Sequence, residues 1–316
     1  MKKIVLSTIA AAVLSATSAF AADMPVKAKM MPAPEPSPWD WAFGGALMTD
    51  YNFRGISQSS KGSSGTVYSE TRYNATSNVQ LYFGQQTWAV ALPTRPSCEC
   101  DIYAGIRPTI GAFSFDLGAI YYWYPKEQQQ FLNAGQTFIS SNPQPAGTIL
   151  TLRDTDFWEA YGKVTWDVIK DKFAVGGNVY YSPSWLKTGA SGTYASVTAK
   201  FTGPEFKLGL AGIDTLGWYV SGEVGHYWLG TATNFQPFFA PFNLPDYTTW
   251  NVGLAFTHKV FTFDIRYYDT DLTRANCFIL TSDPKGIING NGQSSWCGQT
   301  VIGALKFDLT AMTNLK

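Results

Sequence analysis

The sequence is poor in histidine, in charge and in long apolar runs. With 2 histidines among 316 residues, it offers few ligands for a zinc site and few bases for catalysis. Charged residues make up 15% of the chain, whereas an average soluble domain has roughly 25%. The formal net charge of zero gives no support to nucleic-acid binding. Beyond the N-terminal segment, no window approaches the ~20 apolar residues that a membrane-spanning helix needs.

The N-terminal segment has the features of an export signal. Lys2 and Lys3 precede an apolar run over 4–14, and small residues flank Phe20. This pattern predicts a secretory signal peptide over 1–21, because its apolar run is too short to span the membrane as an anchor. Five prolines between 22 and 38 predict an extended tether, because proline cannot donate to a backbone ladder. A single folded domain is expected over 39–316.

Aromatic residues and glycine are abundant, and their arrangement has a period of two. In 41–53 the odd positions are mostly bulky and apolar, whereas the even positions are small or polar. Such alternation is typical of a strand with two different faces. It recurs often enough to predict an all-β protein of about twelve strands, with an uncertainty of two, at 41–53, 66–75, 78–91, 101–109, 113–124, 157–168, 172–182, 193–201, 217–228, 247–257, 260–269 and 300–309.

The connections between these segments alternate between long and short, with 202–216 as the exception. Long loops at one end and tight turns at the other are typical of a transmembrane antiparallel up-and-down barrel, whose short turns face the periplasm. A soluble β-sandwich would have short turns at both ends. Aromatic residues also cluster at strand ends, for example at 121–124, 180–181 and 227–228, and are interpreted as girdles at the two lipid interfaces.

Several segments resemble one known family. These are GGALMTDYNFRGISQS at 44–59, DIYAGIRPTIGAFSFDLGAIYYWYP at 101–125, FWEAYGKVTWDV at 157–168, VYYSPSW at 179–185 and TTWNVGLAFTHKVFTFDIRYYDTDL at 248–272. They are similar to the TorF-type porin family of Gram-negative envelopes, and DYNFRGISQS is the most specific piece. The resemblance implies a single-chain outer-membrane barrel with pore activity. It says little about what would pass through the pore.

If the alternate strand positions that carry apolar side chains face lipid, the positions between them line the lumen. Tyr51 and Phe53 are then expected on the lipid side, and Arg54 at the outer mouth, so that Arg54→Glu should shift selectivity toward cations. Gly55 and residues 57–60 are expected to begin the first exposed loop. Acids and bases are nearly balanced inside, which argues against a strong single-ion filter. The predicted pore-lining residues are Asp50, Arg54, Glu70, Arg72, Asp101, Arg107, Asp116, Glu159, Lys163, Lys200, Glu223, Asp264, Arg266 and Lys306. Cross-strand pairing of these charges is the alternative role.

Three of the predicted outer loops contain further residues with a possible structural role. Loop 125–156 is long and charged, and is either a constriction or a surface loop. Cys277 and Cys297 share one loop, and a bridge between them could contribute roughly 3 kcal/mol by restricting the unfolded chain. Cys98 and Cys100 lie in another loop at the same end, so cross-loop pairing with 277 or 297 also stays open.

A porin-like channel for ions and small hydrophilic solutes in the bacterial outer membrane is the leading hypothesis. The alternative is a structural or adhesion barrel whose lumen is closed by charge pairs. A hydrolase is disfavoured: His258 falls in a tight turn, and His226 has the lipid-facing parity. We expect no cofactor, no metal and no nucleic acid, and interpret the acids at 154–156 and 269–271 as solvated. The expected partners are membrane lipid and small solutes, and homo-oligomer formation stays open.

Overall fold

A computed structural model of the chain describes residues 37–133, 147–210, 213–236 and 239–314. The predicted signal peptide 1–21 and all but the end of the predicted tether 22–38 lie outside these residues. Twelve long strands form one antiparallel sheet. They are β1 (Trp39–Met48), β2 (Ser64–Thr76), β3 (Val79–Trp88), β4 (Glu99–Ile110), β5 (Phe113–Trp123), β6 (Phe157–Ile169), β7 (Phe173–Ser182), β8 (Gly192–Thr202), β9 (Ile213–Leu229), β10 (Tyr247–His258), β11 (Phe261–Thr270) and β12 (Thr300–Thr310).

The sheet closes on itself. Each strand pairs with its neighbours in the sequence, and β1 pairs with both β2 and β12, so that Phe43 lies between Ser69 and Leu309. Closure removes the unpaired edges that an open sheet of this size would expose. The predicted all-β up-and-down barrel of twelve strands is therefore confirmed. None of the helices in the described part of the chain has the length and apolar character needed to cross a bilayer.

The period-two pattern separates the two faces as predicted. Large apolar side chains such as Leu47, Phe83 and Val301 are exposed on the outside of the barrel. The inside combines polar residues with glycines that make room for tyrosines from neighbouring strands. A Cβ on Gly105 would lie 2.4 Å from the Tyr82 hydroxyl oxygen, and one on Gly225 would lie 2.3 Å from that of Tyr194. These glycines let bulky rings fold against the inner wall.

The two ends of the barrel differ as expected. Turns of a few residues join the strands at one end, and the segments between β1 and β2, β5 and β6, β9 and β10 and β11 and β12 are long at the other. The exception at 202–216 is a small hairpin, in which Phe206–Leu210 pairs with the start of β9. In the last long loop, Arg274–Thr281 forms helix α1 and Pro284–Ile288 forms helix α2.

Both disulfides are local. Cys98 is bonded to Cys100, and Cys277 is bonded to Cys297 across 20 residues. The cross-loop pairings that the sequence left open are therefore wrong. The second bridge holds the end of the last loop against α1.

Candidate functional site: a loop inside the barrel

The segment 49–63, here called the interior loop, turns into the barrel instead of continuing β1. Strand β1 ends at Met48, and Asn52–Phe53 then pairs with Ile56–Ser57 as a tight hairpin. Arg54 and Gly55 at its tip have φ angles of 49° and 87°, as both central residues of a type I′ turn require. The Asn52 side-chain oxygen accepts a hydrogen bond from the Gly55 amide at 2.8 Å.

Arg54 carries the tip of the interior loop across the lumen. Its guanidinium donates two hydrogen bonds to the Glu159 carboxylate, at 2.6 and 2.7 Å. Four aromatic rings surround the guanidinium carbon at 4.5–4.9 Å: Phe53, Tyr180, Tyr194 and Tyr227. Glu159 and these three tyrosines belong to β6, β7, β8 and β9, on the far side of a twelve-strand ring from β1. The interior loop therefore spans the lumen.

Electrostatics hold the Arg54 charge in place. Burial acts to lower the pKa of the guanidinium, but the Glu159 carboxylate and the tyrosines around it raise that pKa above its ordinary value. Glu159 is fully buried and also accepts hydrogen bonds from the hydroxyls of Tyr122 and Tyr227, at 2.9 and 3.3 Å. A paired charge of this kind is costly to break, because the remaining partner stays desolvated.

The base of the interior loop is fixed by a second group of contacts. Tyr51 stacks on Trp88 with ring centroids 4.1 Å apart, and its hydroxyl donates to Glu99 at 2.5 Å. Burial, and then the Glu99 carboxylate, raises the pKa of the Tyr51 phenol. The Asp50 carboxylate accepts hydrogen bonds from the hydroxyls of Ser57 and Ser59, at 2.6 and 2.8 Å. These contacts fold the loop back on itself.

The interior loop corrects three expectations. Tyr51 and Phe53 do not face lipid, because the chain leaves the barrel wall before reaching them: Tyr51 is 6% exposed. The segment from Gly55 to Ser60 does not begin an exposed loop, since Gly55 and Ser57 are buried. Arg54 lies within the lumen but is paired, so it is not a free cation at the mouth.

The wall from β2 to β6 carries one network of the predicted interior charges. Glu70 accepts two hydrogen bonds from Arg107, at 2.7 and 2.9 Å, and one from Arg72 at 2.6 Å. Asp116 lies 3.7 Å from Arg107 and 3.5 Å from Lys163 and accepts a hydrogen bond from Tyr82. Contacts between strands that are not adjacent in the sheet form only on its concave side, which places these groups inside.

The remaining predicted residues lie elsewhere along the inner wall. Arg266 donates to Asp264 at 3.1 Å and to Asn251 at 2.7 Å, and Lys306 lies 3.8 Å from Asp264. Glu223 accepts from the Tyr194 hydroxyl at 3.0 Å, and Asp101 accepts from Trp88 at 3.2 Å. The ammonium group of Lys200 lies 4.1 Å from the centre of the Tyr219 ring. The structure thus gathers most predicted charges into pairs.

The inward-facing tyrosines were not predicted from the sequence. Of the adjacent aromatic pairs interpreted as girdles, Tyr181 and Trp228 are exposed on the outside. Their neighbours Tyr180 and Tyr227 surround Arg54. The sequence already contained this information. Neighbouring residues on a strand point to opposite faces, so only one residue of each adjacent aromatic pair can face outward.

Two cavities flank the interior loop. Polar and charged residues of the wall line one of about 260 Å³, whose boundary includes Asp50, Arg266 and Lys306. The other measures about 130 Å³ and is lined mainly by aromatic and aliphatic side chains of the long loops and the tip of the interior loop. The interior loop therefore separates a polar compartment from an apolar one.

Loop 125–156 packs at the long-loop end in its described parts. Leu132 and Leu150 form a small core with Phe278 and Ile287 of the last loop. Residues 134–146 lie outside the described part of the chain. Among the described residues, the segment that crosses the lumen is the interior loop, and the described parts of loop 125–156 lie at the long-loop end.

The remaining polar candidates have local partners. Glu127, Asp154 and Asp156 come within 4.8 Å of one another. Asp154 is nevertheless paired with Lys187, and Glu127 accepts two hydrogen bonds from Thr155. His226 packs beside Trp228, with ring centroids 4.6 Å apart, and Nδ1 lies 3.0 Å from the Thr248 hydroxyl oxygen.

Comparison with known proteins gives a family and several distant similarities. A family model described as "Bacterial protein of unknown function (Gcw_chp)" matches residues 33–286. No curated protein matches the chain. A COG4313 outer membrane channel from Pseudomonas putida F1 is 9% identical, with a TM-score of 0.43 over 90% of this chain and 100% of that one. The toluene transporter TodX of P. putida is 9% identical, with a TM-score of 0.40 over 87% of this chain and 89% of that one. Similarity this low transfers no function.

Proposed function

Since the chain belongs to the Gcw_chp family of bacterial proteins of unknown function, we propose a function from the geometry of its own barrel. The barrel is an outer-membrane channel for ions and small hydrophilic solutes, and the interior loop controls passage. The observation that carries this proposal is the loop itself: its tip crosses the lumen and is held there by one buried ion pair. A channel of the TorF porin type is the finer assignment that the sequence resemblance favours.

The outer surface supports a membrane location. Exposed side chains on the barrel wall are mostly apolar, and exposed tryptophans such as Trp39, Trp41 and Trp228 lie near strand ends. Water would penalise so much apolar surface, whereas hydrocarbon would not, and indole rings suit the interface. We place the short turns in the periplasm and the long loops outside the cell, after export by the signal peptide. The barrel's partners are then membrane lipid and small solutes, and a homo-oligomer is compatible with this arrangement.

The inner wall supports passage of polar solutes. A twelve-strand barrel has a backbone radius of roughly 12 Å, which leaves a lumen of roughly 6 Å radius after side chains. The polar cavity of about 260 Å³ beside the interior loop is part of this space. Displacement of the loop would join that cavity to the long-loop end. Because opposite charges are paired along the wall, we expect weak selectivity between cations and anions.

A closed structural barrel is the second candidate. The charge pairs favour it, since the ion pairs Arg54–Glu159, Arg107–Glu70 and Arg266–Asp264 all lie inside the barrel. In that role the interior loop would be a permanent filling. The surface would then act through the long loops, and no solute would pass. A hydrolase is not part of the proposal, because the His226 imidazole packs in the outer aromatic surface beside Trp228.

Planar-bilayer recording of refolded protein separates the two candidates. Heat-dependent gel mobility in detergent first verifies that the barrel has folded. We expect brief conductance steps from an otherwise closed channel, together with slow swelling of proteoliposomes in small sugars. Silent bilayers and unswollen vesicles, with verified refolding, would contradict the channel and favour the closed barrel.

A further inference from the structure

Most of the site that holds Arg54 belongs to the barrel wall and not to the interior loop. Four side chains from consecutive strands contact its guanidinium, and we call them the wall cage: Glu159 on β6, Tyr180 on β7, Tyr194 on β8 and Tyr227 on β9. Because all four contact one group, they converge on one point inside the barrel. The interior loop adds only the Phe53 ring and the cation itself.

Contacts that do not involve the interior loop keep the wall cage in shape. The Glu159 carboxylate accepts hydrogen bonds from the hydroxyls of two wall tyrosines, at 2.9 and 3.3 Å. One of them, Tyr122, stacks on Phe157 with ring centroids 4.5 Å apart. The Tyr194 hydroxyl donates to Glu223 at 3.0 Å. Within the described part of the chain, however, the only ion pair of Glu159 is with Arg54. The wall therefore supplies a formed anionic site that needs a cation.

The geometry of the contact selects a guanidinium among cations. Two nitrogen atoms of Arg54 donate to the two carboxylate oxygens of Glu159, at 2.6 and 2.7 Å. A planar guanidinium supplies such a pair of donors, whereas an ammonium group is a compact point charge. The three rings of the wall cage lie 4.5–4.9 Å from the guanidinium carbon, and ring faces attract this flat cation.

Arg54 therefore occupies the wall cage as a tethered ligand. A free guanidinium can make the same two hydrogen bonds and contact the same three rings, but only while the interior loop is undocked. In the wild type, its apparent affinity is reduced in proportion to the undocked fraction. The free cation would also supply the counter-charge that Glu159 loses when the loop undocks.

We propose that the wall cage binds small solutes that carry a guanidinium group, and that such a solute replaces Arg54 and thereby favours the open channel. Binding to the wall cage requires no passage of solute. Opening of the channel by the solute rests on the proposed function of the interior loop. The two steps are therefore measured separately.

Saturation-transfer NMR on the refolded full chain measures the binding step. The probe is methylguanidinium, and methylammonium at equal ionic strength is the comparison. Arg54→Gly removes the competing side chain and suits the φ of 49° at this position. We expect saturable binding of methylguanidinium to this variant, about tenfold weaker binding of methylammonium, and much weaker binding of methylguanidinium to the wild type.

Two further changes in the Arg54→Gly variant test the parts of the wall cage. Glu159→Gln removes the carboxylate and should weaken binding of methylguanidinium about tenfold. Tyr180→Leu removes one ring and should weaken it about fivefold. Tyr181→Leu, which removes an exposed ring of the outer wall, is the matched control and should have no effect.

The site is refuted if Glu159→Gln leaves the binding unchanged, or if Arg54→Gly binds both probes equally. Heat-dependent gel mobility verifies folding of each variant. If Arg54→Gly refolds poorly, methylguanidinium should raise its refolded yield more than methylammonium does, because a ligand of the folded state stabilises it. Equal yields with the two probes would then refute the site.

Single-channel recording of the wild type measures the opening step. Methylguanidinium should raise the share of open time in a saturable way, whereas methylammonium at the same concentration should not. An unchanged open time, with binding to Arg54→Gly established, would refute the replacement of Arg54 by the solute. Silent bilayers together with that binding would contradict the channel and support the site.

Discussion

Removal of the Arg54 side chain should open the lumen. The guanidinium makes two hydrogen bonds to a fully buried carboxylate and is enclosed by four rings. In Arg54→Ala, Glu159 keeps its desolvation and loses its counter-charge. Breaking a buried pair in this way costs about 3–5 kcal/mol. Applied to the docked state of the interior loop, 3 kcal/mol would lower the docked-to-undocked ratio by roughly a hundredfold.

Single-channel recording at equal protein density measures this change. Wild-type protein should be mostly closed, and Arg54→Ala should be open for a much larger share of the time, with larger steps. Arg153→Ala removes an arginine from an exposed loop position and is the control for a changed charge. We expect it to behave as wild type.

A double variant distinguishes the ion pair from general damage to the loop. Arg54→Met with Glu159→Gln removes both charges and leaves an apolar chain among the rings. It should close the channel more often than Arg54→Ala, since no buried charge is left unpaired. Unchanged open time in Arg54→Ala, in protein with verified heat-dependent mobility, would refute the assignment of the interior loop as the element that closes the lumen. The same geometry revises the expectation for Arg54→Glu: two carboxylates would face each other, so opening should dominate over any shift of selectivity.

Three further predictions concern contacts that stabilise the interior loop and the long loops. Gly55→Ala should also raise the share of time for which the channel is open, because a Cβ at this position, where φ is 87°, would lie 2.2 Å from the Thr270 side chain. Gly111→Ala is the control, since Gly111 has a φ of 61° and open space around it. Equal conductance in both variants would contradict the close fit of the interior loop at Gly55. Cys277→Ser with Cys297→Ser should increase proteolysis of the last loop, since the bridge that closes it is worth roughly 3 kcal/mol; a cleavage rate equal to that of wild type would show that packing alone holds this loop. Burial raises the pKa of Glu127 despite the hydrogen bonds from Thr155, so its folded state binds a proton more tightly than the unfolded state. The stabilisation is complete below the ordinary value of about 4.3 and is lost as the pH rises through the higher folded value. Hydrogen exchange at the Thr155 amide should therefore slow on acidification across this pH window, by more than the intrinsic exchange rate does. Glu127→Gln should remove this additional slowing. An identical pH response in the variant would contradict the assignment of the slowing to Glu127.

The sequence by itself determined the barrel. Side chains on a strand alternate between two faces, so a barrel wall with apolar residues outside and polar residues inside has a hydrophobic period of two in its sequence. This local rule located all twelve strands and placed the charges at Glu70, Arg107 and Asp264 on the inner parity. The alternation of long and short connections, also visible in the sequence, predicted which end of the barrel carries the loops.

Only the tertiary structure decided the path of the interior loop. The alternation continues past Met48 through Tyr51 and Phe53, so the local pattern predicts more strand, yet the chain turns into the lumen. The reason is a partner far away in the sequence: Glu159, with its surrounding tyrosines, supplies the charge and the rings that hold Arg54. The sequence likewise left open whether the cysteines pair within a loop or between loops, and the structure bonds each pair within its own loop. Alternation in the sequence indicates on which face of a strand each residue lies. The fit of the interior loop depends instead on side chains from β6 to β9, which closure of the barrel brings opposite β1.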